Sequence, residues 1–187
     1  IVEQAATETS PPGRYEVTNF SLSIPALHTG AVTTAEWSAD LQAKRGDRLN
    51  LTSGRLTGDA EIKLRQTVLP EYVTFTTKIE NLTGAAQDIS LDGRQVTIRA
   101  DARSTTPTSL SISEILVTES ADGKEELRAL AEGTVSAAPL TADLKVSVDP
   151  VSSGVFNLAG SILGGYDLGE TTASFRTDVT VSADKNV

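Results

Sequence analysis

The 187-residue chain has no cysteine, no methionine, one histidine and one tryptophan. Without cysteine there are no disulfides, no zinc–thiolate or iron–sulfur sites and no cysteine nucleophile. A Ser-His-Asp triad would have to use His28, in "PALHTG", yet no G-x-S-x-G elbow is present. A lone histidine does not build a multi-histidine zinc site either, so a solvated loop residue is expected there. The longest apolar run, "VFNLAGSILGGY", is too short and too rich in glycine to span a bilayer as a helix. Basic residues are outnumbered, 16 against 25 acidic, for a net charge of −9. That balance opposes a nucleic-acid partner, whose phosphates are bound by Lys and Arg, and an anionic membrane surface. Solubility is the main reading of the negative charge and calcium binding the alternative, for which no D-x-[DN]-x-[DN]-G loop occurs and acidic pairs such as Glu125-Glu126 stand isolated.

Other chemistry is equally thin. Gly160 to Gly165, "GSILGG", lacks the lysine of a phosphate-binding loop and precedes no segment of helical period. A glycosidase-like pair of carboxylates would depend on the fold, since their separation sets the reaction. Glycan sites usually add aromatic platforms, and there are only eight aromatics. Trp37 alternates with Ala35 and Ala39, which suits a core position, with an exposed stacking platform as the alternative. Catalytic, cofactor-binding and metal-binding residues are therefore expected to be none, and no cofactor is implied.

What is abundant is the palette of a pleated sheet: Val, Ile, Leu, Ala and Thr. Alternation of period two runs from end to end. "FSLSI" sets Phe20, Leu22 and Ile24 on one face, with Tyr15 and Val17 in the opposite phase, so a bulge is expected at Thr18-Asn19. "AEIKLRQTVLP" places Ala60, Ile62, Leu64 and Val68 together. "LTADLKVSV" does the same for Leu140, Ala142, Leu144, Val146 and Val148, and "TASFRTDVTVSAD" for Ala173, Phe175, Val179 and Val181. "DISLDGRQVTI" predicts a two-residue type I′ hairpin at Asp92-Gly93, opposing Ile89 to Val96 and Gln87 to Ile98. Asp122-Gly123 predicts a second hairpin with a longer turn. "KEELRALAEG" is composed of helix formers but alternates at Leu127, Ala129 and Ala131, so a strand is expected. The fold class is all-β: an antiparallel sandwich, jelly-roll or immunoglobulin-like, of roughly nine to eleven strands. Residues 15–187 form one domain, and residues 1–14 an extended tail.

The chain begins with Ile rather than Met, which suggests a removed leader and a secreted or surface location. Three of its five asparagines, Asn19, Asn50 and Asn81, lie in N-x-[ST] sequons and are candidate glycosylation sites. The tail, with Pro11-Pro12 as a stiff spacer, could add a strand to an open sheet edge on another copy. Candidate interface residues are Ile1, Val2, Ala5, Ala6, Tyr15, Val17, Phe20, Leu22 and Ile24. Head-to-tail contacts of this kind build open filaments unless they close into a ring.

The stretch "AEWSADLQAKRGDRLNLTSGRL", followed by "LPEYVTFTTKIENLTG", resembles the start of camelysin/TasA-type secreted fibre subunits. The resemblance rests on Trp37, on Ser53-Gly54-Arg55-Leu56, and on Asn81 to Gly84. A "PGD" turn of that family is replaced by Pro70-Glu71-Tyr72. The resemblance implies a β-sandwich subunit of an extracellular fibre polymerised by strand donation, with no catalytic residue to carry over. The functional expectation is a structural, non-enzymatic subunit of a surface filament whose partners are copies of itself. The alternative is a surface adhesion or carbohydrate-binding module, with exposed aromatics around Trp37 or Tyr166. An enzyme, needing converging carboxylates in a pocket, comes third.

Overall fold

A computed structural model describes residues 1–5, 11–67, 69–163 and 170–182. The strands are β1 (Val2–Gln4), β2 (Gly13–Ser23), β3 (Val32–Arg45), β4 (Leu49–Lys63), β5 (Tyr72–Ala86), β6 (Ile89–Ser90), β7 (Arg94–Thr106), β8 (Ser109–Ala121), β9 (Lys124–Ala137), β10 (Leu140–Val151) and β11 (Ala173–Ser182). One helix, α1 (Ser153–Leu163), precedes the last strand. All the strands belong to one sheet in the order β1-β2-β3-β4-β5-β7-β8-β9-β10-β11, with β6 attached to β5. The expected division into two stacked sheets is therefore replaced by a single open antiparallel meander. Apart from the β6 detour on β5 and the α1-containing connection from β10 to β11, each strand pairs with its sequence neighbour through a turn or loop of eight residues or fewer. Such connections favour hairpins over crossovers.

The alternation read from sequence becomes one apolar face. In an antiparallel ladder directly opposed residues share a face. Partners can thus be followed rank by rank: Leu22, Trp37, Gly58, Thr77, Ile98, Val117, Ala129, Val148 and Phe175. The next rank holds Ala35, Ala60, Phe75, Ala100, Ile115, Ala131 and Val146. The opposite face carries ranks such as Glu36, Asp59, Thr76 and Arg99. Trp37 is half-buried and lies across Gly58, where an added Cβ would meet the indole at 2.3 Å. Instead of the core position expected of it, it covers the sheet face half-buried, with a glycine as its seat.

The bulge expected near Asn19 is present. The β2–β3 register shifts between Thr18 and Ser21, and Asn19 takes a positive φ of 49°. The extra residue rephases the strand, so Tyr15 and Val17 share the apolar face with Leu22. At Asp122-Gly123 both residues have positive φ, and Ala121 faces Lys124. The tight type I′ turn therefore falls here, shorter than expected, and "KEELRALAEG" is strand β9.

The hairpin expected at Asp92-Gly93 is a correction. Ile89 pairs with Ala86 of β5, and Val96 pairs with Ile79, also of β5. A turn does form, with the Arg94 N–H donating to the Leu91 carbonyl at 3.2 Å, but only Gly93 has positive φ. The Gly84 N–H donates to the Asp92 carboxylate at 3.1 Å and the Leu91 N–H to the Gly84 carbonyl at 2.9 Å. These bonds hold the segment on β5, so the aspartate serves the preceding corner instead of a type I′ hairpin.

A second correction concerns "SGVFNLAGSIL", which forms α1. Ser152 caps it: its hydroxyl accepts from the Val155 N–H at 3.4 Å and its carbonyl from the Phe156 N–H at 3.2 Å. Val155, Leu158 and Ile162 recur at helical spacing, a signal hidden behind the glycines. The helix packs between the start of β9 and the β5–β6 corner. Ala86, Leu91 and Val151 are buried at that end of the sheet.

Candidate assembly margins and a buried charge cluster

The sheet does not close, so its two end strands define the margins. At the first margin, Val2–Gln4 pairs antiparallel with Gly13–Tyr15 of β2. The expected donor segment thus folds back on its own chain at those three residues, and strand β2 starts at Gly13, within the stretch read from sequence as tail. Ile1 and Ala5 are exposed, and Ala6 lies outside the described residues. Beyond Tyr15, no described strand pairs with the outer edge of β2. Along that stretch Val17, Phe20 and Leu22 are exposed, and Ile24, just past the strand, is exposed as well. Tyr15 is half-buried beside Gly13.

At the other margin, β11 pairs with β10 in unbroken register from Thr141–Ser182 to Val148–Phe175. Among the described residues nothing pairs with its outer edge. Phe175 is 54% exposed and Val181 49%, although both belong to the apolar face. On the polar face Asp178 stands opposite Lys145, which in turn stands opposite Glu132. Arg176 stands opposite Ser147. Sequence reading named the β2 residues as a candidate donor strand and did not single out β11, because strand order is not encoded in any one segment.

A charge cluster sits under the start of α1. Arg94, at the head of β7, donates from Nη1 to Glu119 Oε1 of β8 at 2.6 Å and lies 3.4 Å from Glu126 Oε2 of β9. Its Nε donates to the Ser90 carbonyl at 3.2 Å. Arg94 and Glu119 are buried, and Glu119 Oε2 has no hydrogen-bond partner among the described residues. Glu119 occupies the apolar rank between Val96 and Leu127. Burial raises its carboxyl above the ordinary glutamate range; Arg94 pulls it back and Glu126 adds to the rise. The arrangement is two carboxylates on one guanidinium, closed off by α1 where Gly154 meets Glu126. It is suited to locking three strands and a helix together.

The remaining candidates are placed as follows. His28 is an exposed loop residue between β2 and β3. Asn19, Asn50 and Asn81 are all exposed, and the Asn19 amide donates to Asp40 at 2.6 Å. That bond, with Arg55 at 2.6 Å on the other oxygen, holds the Asp40 carboxyl below its usual range. Tyr166 and Gly164, Gly165 and Gly169 lie outside the described residues. A polar trough of about 390 Å³ beside Ser21, Glu36 and Asp59 includes the edge of Trp37, and no group of metal-binding side chains occurs among the described residues. No family model, curated protein or solved structure matches this chain.

Proposed function

We propose that this chain is a structural subunit of an extracellular filament or surface layer, assembled by β-strand pairing between copies of itself. The observation that carries the reading is the pair of open margins at opposite ends of the sheet, each bordered by exposed apolar side chains. Unpaired backbone N–H and C=O groups along such an edge are satisfied by adding another strand. Natural monomers blunt their edges with lysine, proline or short strands. Here β11 has ten residues with neither lysine nor proline. The apolar face is also incompletely covered. The chain exposes 11426 Å², whereas a compact monomer of its mass exposes about 8,600 Å². Among the described residues only six apolar side chains are buried, and no large one fully. Association would cover that face.

The remaining parts of the reading have their own support. The strong negative charge keeps subunits soluble until a specific contact forms, and absence of cysteine is compatible with export. The three sequon asparagines are exposed, as glycan attachment requires. The non-enzymatic reading rests on the closed, structural character of the Arg94 cluster. Size-exclusion chromatography and negative-stain microscopy over a concentration series test the proposal. Oligomer ladders or fibres are expected. A monodisperse monomer at the highest attainable concentration, with no fibre, would overturn it.

A further inference from the structure

Strand parity and the residues of β11 say how the copies meet. From β2 to β11 the path holds nine strands, each antiparallel to the next, so β2 and β11 run in the same direction. Joining β11 of one copy to β2 of the next, with the apolar face continuous, would make a parallel pair. It would also seat a straight strand against a bulged one, part of whose edge β1 covers. Two β11 strands related by a twofold axis perpendicular to the sheet instead pair antiparallel and keep the apolar face on one side.

On that axis, opposed residues must share a face, so their numbers sum to an even value. Two registers use nearly the whole of Ala173–Ser182. One is centred on Asp178 and places that carboxylate against its own copy, with Arg176 opposite Thr180. The other is centred on Thr177. It places Arg176 opposite Asp178 twice, Phe175 opposite Val179 twice, and Ala173 opposite Val181 twice. Like charges directly opposed are unfavourable and opposite charges favourable, so only the second register is self-complementary. It also extends the existing ranks. Glu132, Lys145 and Asp178 would continue to Arg176 of the second copy in alternating sign. Val148 and Phe175 would continue to Val179 and Leu144 of the second copy.

Resting on the assembly reading above, we infer that a second copy of this chain docks on β11 as a symmetric antiparallel pair centred on Thr177. This replaces the head-to-tail order expected from the tail, and it leaves β2 as the margin through which dimers are joined into longer assemblies.

The absence of cysteine makes a crosslinking test clean. Opposed Cα atoms in an antiparallel pair lie about 4.5–5.5 Å apart, within the roughly 4.4–6.8 Å span of a disulfide. Full-length Thr177→Cys is expected to form a covalent dimer on mild oxidation. Val181→Cys, whose opposite residue is Ala173, should not. Arg176→Asp or Asp178→Arg alone opposes like charges at both symmetric pairs and should weaken dimerisation about tenfold or more; the double swap should restore it. These side chains are exposed. Because Asp178→Arg also faces Lys145 of its own subunit, circular dichroism and thermal unfolding of each variant check that the fold is retained. Arg176→Asp, which faces Ser147, is the variant free of that contact. Oligomers that form without crosslinking at 177, or a double swap no better than the single variants, would overturn this junction while leaving assembly itself standing. A parent protein that never associates would overturn both.

Discussion

Replacing Arg94 with methionine is the sharpest probe of what holds this sheet together. Among the described residues the guanidinium is the only cation bonded to Glu119 and Glu126, and the side chains of Arg94 and Glu119 are 9% and 8% exposed. Methionine fills much of the volume but leaves two carboxylates facing each other under α1. Removing one partner of a buried ion pair costs about 3–5 kcal/mol, a large part of the roughly 5–15 kcal/mol that stabilises a domain. The loss should depend on pH, with the following sign. Glu119 titrates above its ordinary value of 4.5 when folded, so the native state binds more protons than the unfolded chain between those two values. Stability at this locus is therefore lowest at neutral pH and rises as pH falls through the folded value towards 4.5. Without Arg94 the folded value climbs further, so recovery begins at higher pH and is larger. Urea denaturation followed by Trp37 fluorescence at pH 7.5 and 5.5, for parent and Arg94→Met, reads this directly. Asp40 and Glu71 are held below their usual range by Asn19 and Lys63 respectively, and their contribution falls away on acidification. The difference between parent and variant removes that background. A deficit below about 1 kcal/mol at pH 7.5, or one that does not shrink at pH 5.5, would refute the reasoning. The double variant Arg94→Met/Glu119→Leu should regain most of the loss, since an apolar replacement of a buried pair is often neutral or better.

Two further substitutions test the local geometry. Gly58→Ala puts a methyl where the Trp37 indole lies; overpacking of this kind should cost about 1–3 kcal/mol and shift the emission of the single tryptophan, and an unchanged spectrum with parental stability would contradict the seat described. Gly123→Ala meets no atom within 4 Å but must hold a φ of +78°, so thermal unfolding should show a purely backbone loss of about 1 kcal/mol, whereas no loss would mean the turn is not type I′.

Much of this molecule is written in short stretches of chain. The strand character of β3, β4, β10 and β11 follows from alternation, because side chains in a pleated strand point to opposite faces in turn. The bulge at Asn19 was legible for the same reason: two apolar sets in opposite phase can share a face only if one residue is spare. A hairpin at Asp122-Gly123 was legible from the turn residues, but its tightness was not: a longer turn was expected, and the positive φ at both positions makes it a two-residue turn.

What no segment could declare was partnership. The same dipeptide at Asp92-Gly93 gives no hairpin, because the Asp92 carboxylate binds the Gly84 N–H, eight residues back. Glu119 reads as an ordinary strand glutamate until Arg94 and Glu126 arrive from two other strands. Above all, β2 and β11 look locally like interior strands, apolar on one side and polar on the other. Local sequence determines the conformation of a strand, since sterics and alternation act over a few residues. Whether its second edge meets a neighbour depends on the order of the whole sheet, and only the tertiary structure decides that.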